Sequence, residues 1–211
     1  IGVNTNAVRY RREILKWANL LVVSLHSLDP GRIAEIYGVA PEVGQQVLRN
    51  VVRYAAERDK ARVQMTVNCV VTGDNLGDVR EVAEFCQDIG VRLNVAPAIL
   101  GNGRPDERLR GNAEYQALID WLAEQRGLMA PSRAYLRAIR DFEPFACMPH
   151  VMPCVYPNGD VAAPCIPLSG EVKPSGVGVN GAERPVNLFE AGGLNAALQF
   201  GRARYEAASG V

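Results

Sequence analysis

Arg62-Val63-Gln64-Met65-Thr66-Val67-Asn68-Cys69-Val70-Val71 is the stretch that decides the fold. Its β-branched residues and period of two read as a strand, with Val63, Met65, Val67, Cys69 and Val71 on one face and Gln64, Thr66, Asn68 and Val70 on the other. The first face suits packing against helices. The second carries polar groups toward the carboxyl end, where parallel sheets and barrels bind their ligands.

Working outward, Leu76 to Ile89 is an amphipathic helix with the apolar stripe Val79, Val82, Cys86 and Ile89, and Arg92 to Ala96 is a strand stopped by Pro97. Upstream, Leu20 to Leu25 is an apolar run of strand length. A polar loop with Asp29-Pro30-Gly31 follows it, and Pro41 opens a helix from Glu42 to about Asp59. Ile1 to Thr5 reads as a strand and Ala7 to Ala18 as a helix bearing Val8, Ile14, Leu15 and Trp17. This β-α-β-α-β-α-β alternation predicts an α/β fold of parallel strands with helical crossovers, either an open doubly wound sheet or a barrel. No Gly-rich phosphate turn follows any strand, and Gly101-Asn102-Gly103-Arg104 lacks the third glycine and prompt helix of a dinucleotide fingerprint.

Asn112 to Arg126 and Ser132 to Phe142 read as two more helices, the latter capped by Ser132. From Glu143 the composition shifts to Pro, Gly and Cys, which divides the chain into residues 1–142 and 143–211. In the second part Tyr156-Pro157-Asn158-Gly159-Asp160-Val161 reads as a hairpin, 173–185 as a Gly-rich loop and Leu194 to Ala208 as a closing helix.

With 211 residues, 48% hydrophobic and 22% charged, the chain has the composition of a globular protein large enough to bury its own core. Its 23 basic and 23 acidic side chains are interspersed, so no basic stripe attracts a phosphate backbone and no nucleic-acid partner is expected. No apolar run spans a bilayer and no signal-peptide pattern opens the chain, which places the protein in the cytoplasm without a membrane partner. The chain begins at Ile1, inside a strand, and reads as a fragment.

Strand parity puts Val22, Ser24 and His26 on one face at the carboxyl end of their strand, so a hydroxyl and an imidazole converge with Asn68. The plainer alternative is that Ser24 ends the strand while His26 and Ser27 satisfy loop backbone. No partner makes a nucleophile–base pair with either residue. Cys69 and Cys86 fall on apolar faces and read as core filler. Cys147, Cys154 and Cys165 lie instead in an aperiodic Pro-rich segment, where clustered thiols suit an iron–sulfur cluster or zinc. Either centre takes four ligands, so His150 or a group from outside the chain would supply the fourth, or one cysteine is a bystander; the plainer alternative is three unliganded loop cysteines.

Several of these segments resemble radical S-adenosylmethionine (SAM) enzymes. Thr5-Asn6-Ala7 resembles the Thr-Asn-Gly ending their third strand, and Val22-Val23-Ser24-Leu25-His26 their fourth-strand Val-Ser-Leu-Asp. Val67-Asn68-Cys69-Val70-Val71 with Asn75 resembles the fifth strand, and Ala96-Pro97 with the 101–104 loop the sixth and its exit. Cys147, Gly159-Asp160-Val161 and Pro164-Cys165 resemble the Cys…Gly-x-Val-x-Pro-Cys hairpin of SPASM or twitch extensions, with one residue extra before Cys165.

The resemblance implies a partial (β/α)6 radical SAM barrel, later strands only, over 1–142, and a SPASM- or twitch-like auxiliary-cluster extension over 143–211. It implies an enzyme in which a [4Fe–4S] cluster reductively cleaves SAM, and a 5′-deoxyadenosyl radical abstracts hydrogen from a small-molecule or peptide substrate. A flavodoxin or ferredoxin would supply the electron, and the parent enzyme would be a peptide maturase or a cofactor-biosynthesis enzyme. By position, Ser24 and His26 would approach the SAM ribose or carboxylate, Asn68 the ribose, and backbone near Pro97 the adenine. Cys147, Cys154 and Cys165 would ligate an auxiliary [4Fe–4S] cluster. The family's CxxxCxxC is absent from the chain, so the fragment alone is expected to be inactive. Two other classes compete: a zinc-binding structural or interaction module on an α/β scaffold, and a cluster-free lyase or aldolase, for which no lysine or acid stands at a strand end.

Overall fold

In the computed structural model, residues 1–100 and 105–143 are described, with 154–155, 160–162, 186–187, 189, 192, 193, 195, 196 and 199 from the remainder. Residues Ile1–Ile99 with Pro105–Pro144 form one compact unit, and Leu100–Arg104 with Phe145–Val211 a second.

The first unit is built on four strands, β1 (Gly2–Thr5), β2 (Leu20–Ser24), β3 (Gln64–Val71) and β4 (Arg92–Pro97), all parallel and in the spatial order β1-β2-β3-β4. Sequential order resolves what the alternation left open. A doubly wound sheet reverses direction at a switch point, whereas strands laid down one after another form an arc of a barrel. One face of that arc is sealed: Leu21, Val23, Met65, Val67, Cys69, Val71, Leu93 and Val95 are buried among Val47, Val51, Tyr54, Val79, Val82 and Cys86. Those last residues belong to the helices α3 (Pro41–Ala61) and α4 (Leu76–Asp88). On the second face Val22, Ser24, Asn68, Val70, Asn94 and Ala96 are half-buried.

The starts of two later helices are set by a capping side chain. Asn112 Oδ1 accepts from Glu114 and Tyr115 N–H to open α5 (Ala113–Glu124), and the Ser132 hydroxyl accepts from Tyr135 N–H to open α6 (Arg133–Asp141). Between them, Leu128 and Ala130 exchange main-chain hydrogen bonds of 2.8 Å with Leu93 and prolong the sheet past β4.

Two segments differ from the sequence expectation. The helix expected over Ala7 to Ala18 shrinks to α1 (Ile14–Trp17), because groups upstream are claimed by α3. Asn50 Nδ2 donates to the carbonyl of Ala7 at 2.7 Å, and the Tyr54 hydroxyl accepts Arg11 N–H at 2.8 Å. The polar loop after β2 contains α2 (Pro30–Tyr37), capped by Asp29 accepting from Arg32 N–H at 2.7 Å and ended by left-handed Gly38.

In the second unit β5 (Cys154–Val155), β6 (Asp160–Ala162) and β7 (Val186–Asn187) form an antiparallel sheet, with Cys154 opposite Ala162 and Val155 opposite Val161. The strands flank the expected hairpin turn, whose residues 156–159 lie outside the described residues, as does most of 194–208. No described helix is long and apolar enough to cross a membrane.

Candidate functional site

Three polar side chains stand level across adjacent strands at the carboxyl end of the arc. Ser24 of β2 is paired in register with Asn68 of β3, and Asn68 with Asn94 of β4. Asn94 Nδ2 donates to Asn68 Oδ1 at 2.6 Å. On the same face Val22, Val70 and Ala96 adjoin the row, and the next register row toward the amino ends carries Asn4, Thr66 and Arg92.

His26 sits one step beyond. Its Nδ1 accepts the main-chain N–H of Val70 at 3.0 Å and carries the β2–β3 ladder past the last paired residues, Ser24 and Asn68. Accepting at Nδ1 leaves the proton on Nε2. Burial lowers the imidazole pKa from its ordinary value and favours this neutral form. The ring meets Tyr37 edge to face at 6.4 Å. The Tyr37 hydroxyl donates to the carbonyl of Ser24, and burial pushes its pKa up to about 12, so it stays a donor.

Buried polar contacts fix the loops around the row. Ser27 Oγ donates to Asp78 Oδ1 at 3.0 Å and ties the turn after β2 to α4. Asn75, itself buried, accepts Thr72 N–H at 2.8 Å and donates to the Val70 carbonyl at 2.8 Å, closing the turn after β3. Asp106 accepts Gly73 N–H at 3.1 Å and binds Arg108, joining that turn to the segment after β4. The strand ends thus present a preorganised mouth rather than free loops.

Of the residues singled out in the sequence, Ser24 and Asn68 lie together and His26 adjoins them. Pro97 pairs with Val71 at the end of β4, so its side chain takes the sealed face and Ala96 is the β4 neighbour of the row at that end. Asn94 was missed. Parity within Arg92 to Pro97 puts it on Ala96's face, but only the β3–β4 register places it beside Asn68. Cys154 opens β5, while Cys147 and Cys165 lie outside the described residues. Among the described residues no cluster of three or more His, Cys, Asp or Glu could hold a metal. A groove of about 610 Å³ between α1 and α3, lined by Arg12, Leu15, Lys16, Glu57, Lys60 and Ala61, contains none of the polar row. It lies toward the amino ends of the strands, away from the carboxyl-end mouth where such folds place chemistry.

No family model and no curated protein matches the chain. Among solved structures it is similar to Streptococcus suis SuiB bound to S-adenosylmethionine, at 20% identity and a TM-score of 0.55, over 90% of this chain and 45% of that one. A second structure of Streptococcus suis SuiB aligns at 19% identity and a TM-score of 0.55, covering 90% of this chain and 46% of that one. SuiB bound to the precursor peptide SuiA aligns at 21% and 0.54, covering 90% and 45%. The chain therefore spans less than half the length of these structures. The likeness is one of fold: the parallel sheet and its helices match part of a (β/α) barrel.

Proposed function

We propose that the chain is the later part of a radical SAM enzyme, and that the row Ser24, Asn68 and Asn94 with neighbouring His26 holds part of the SAM molecule. The observation carrying this reading is the level placement of three uncharged hydrogen-bonding side chains at the carboxyl end of a sequentially ordered parallel sheet. Its support from outside is the fold shared with SuiB, which has been solved with S-adenosylmethionine. The donor set fits: hydroxyl, amide and neutral imidazole match ribose hydroxyls and an amino-carboxylate. When bound and reduced, SAM supplies a 5′-deoxyadenosyl radical for hydrogen abstraction. The residues here would bind and orient it, with main chain near Ala96 and Pro97 available to its base.

The five cysteines, at 69, 86, 147, 154 and 165, contain no CxxxCxxC, so the chain by itself does not start the reaction. Cys147, Cys154 and Cys165 form a thiol set suited to an auxiliary [4Fe–4S] cluster in a SPASM- or twitch-like second unit, with zinc as the competing occupant. The substrate class is a peptide, by analogy with the SuiA-bound structure, and the electron donor in this reading is a flavodoxin or ferredoxin.

Titration of S-adenosylmethionine into the isotope-labelled chain, followed by amide chemical shifts, tests the reading. Shifts centred on Ser24, His26, Asn68 and Asn94 are expected. No shift up to millimolar ligand, or shifts confined to the α1–α3 groove, would overturn it.

A further inference from the structure

We propose that the groove between α1 and α3 is a second binding site, on the outside of the arc, for an acidic peptide segment. It stands apart from the SAM reading, because the polar row is on the opposite face of the sheet from α3. Basic and acidic side chains balance at 23 each over the whole chain, yet residues 9–16 carry four cations, Arg9, Arg11, Arg12 and Lys16, against Glu13 alone. Of the groove's lining, Arg12, Lys16 and Lys60 are cations and Glu57 is the one acid. Glu57 is already committed. Its Oε2 accepts the Tyr10 hydroxyl at 2.7 Å and stands 3.4 Å from Arg12 Nε, while its Oε1 accepts from Arg53 Nε at 3.0 Å. One carboxylate thus answers two guanidinium groups, and Lys16 and Lys60 have no ion-pair partner among the described residues.

Lys16 and Lys60 each occupy the last turn of their helix, where the terminal carbonyls partly compensate a cation. That accounts for a lysine on each helix, but not for Arg12 or for the cavity between them. It also selects the ligand. The helix ends at the groove offer carbonyls in place of the N–H donors of a phosphate site, so positive charge is presented only on long side chains. Carboxylates spaced along an extended chain meet such charge one by one. Glu57 Oε1 keeps a lone pair beside Arg53, which a peptide N–H can fill and a phosphodiester backbone cannot. Leu15, only 5% exposed, gives the groove an apolar wall, and Trp17, 72% exposed, follows on α1, so the ligand carries apolar side chains among its acids. A volume of about 610 Å³ is that of a site for a short segment.

Amide shifts of the isotope-labelled chain test this, with a capped hexapeptide of alternating glutamate and leucine as the probe. Shifts over residues 12–17 and 57–61 are expected, weakening as salt rises from roughly 0.05 to 0.5 M. The double variant Lys16→Gln with Lys60→Gln keeps both stems and should bind about tenfold more weakly, the scale of two surface ion pairs. Its amide spectrum should overlay the wild type away from the two positions, and wild-type affinity in it overturns the proposal. An equal response to the lysine–leucine counterpart would reduce the groove to an apolar surface, and an equal response to tripolyphosphate would make it a compact-anion site; either overturns the proposal. So does a silent groove at millimolar peptide. Concentration-dependent shifts of residues 12–17 and 57–61 without peptide would assign the groove to a second copy of the chain and overturn it too. SAM should leave these residues unmoved, so the two titrations succeed or fail separately.

Discussion

Val70 donates its main-chain N–H to His26 Nδ1 across 3.0 Å, so a side chain serves as the last acceptor of the β2–β3 ladder. An imidazole fills that role only while Nδ1 is unprotonated. The arrangement places a titratable group in the frame of the mouth.

A pH dependence follows from its sign. Burial lowers the folded pKa of His26 below the ordinary 6.5, so below that pH the unfolded chain binds more protons than the folded one. Stability should be complete above about pH 6.5, fall as pH drops through that value, and level off once the folded pKa is passed. Chemical unfolding midpoints at neutral pH and near pH 5 measure the slope. Asn in place of His26 keeps an acceptor and should remove the slope, whereas His26→Ala should cost about 1 kcal/mol at neutral pH by orphaning Val70 N–H. The other histidine is His150, so His150→Asn is the control. An unchanged slope in His26→Asn sinks the assignment.

Gly44 lets α3 touch the start of α2. A Cβ built on it would lie 1.9 Å from the Pro30 carbonyl oxygen and 2.7 Å from its carbon, both backbone atoms without freedom to rotate away. Gly44→Ala should destabilise by about 1–3 kcal/mol through overpacking. Gly38→Ala separates this from backbone strain, since Gly38 has φ +63° and nothing within 4 Å of the added carbon. That variant should cost about 1 kcal/mol from conformation alone. Equal thermal shifts in the two variants would remove the close-approach argument.

Local signals carried most of the fold. Alternation in Arg62 to Val71 placed Met65, Val67 and Cys69 on the sealed face, and the cap at Ser132 fixed a helix start. What escaped depended on distant partners. Asn50 and Tyr54 unwind the expected first helix from a position some forty residues away in the chain. Strand order needs pairings that no local pattern encodes, and it decides between barrel and doubly wound sheet. Asp29-Pro30-Gly31 reads as a polar loop although Asp before Pro is also a helix start; the eight-residue α2 is too short for a clear period. The same division holds at the site. Ser24, His26 and Asn68 were legible from parity, while Asn94 required the register.

Asp106 supplies a second, acid-side prediction. Its hydrogen bonds to Arg108, then those from Gly73 and Arg108 N–H, hold the carboxyl well below the usual carboxylate range. A depressed folded pKa means stability that is present above the unfolded value of 3.8 and lost as pH falls below it. Asp106→Asn should lower the melting temperature by a few degrees at neutral pH and flatten the acid limb. The measurement is a series of thermal melts from neutral pH into the acid range, and an acid limb identical in the variant would separate Asp106 from this stability.

The cysteines fall into two chemical groups, and the difference can be measured. Cys69 and Cys86 are fully buried, and burial raises both thiol pKa values, that of Cys86 to about 12. Thiolate is the reactive form, so iodoacetamide at neutral pH should modify neither residue until the chain is unfolded. Buried among the apolar side chains of the first unit, neither is placed as a metal ligand. After anaerobic reconstitution, Cys86→Ala should keep the iron content of the wild type, whereas Cys165→Ala should lose iron. Broad absorption near 400 nm with acid-labile sulfide would accompany the cluster. Stoichiometric zinc in a colourless protein would assign the thiols to a structural metal instead, and equal iron in both variants would remove Cys165 from the ligand set.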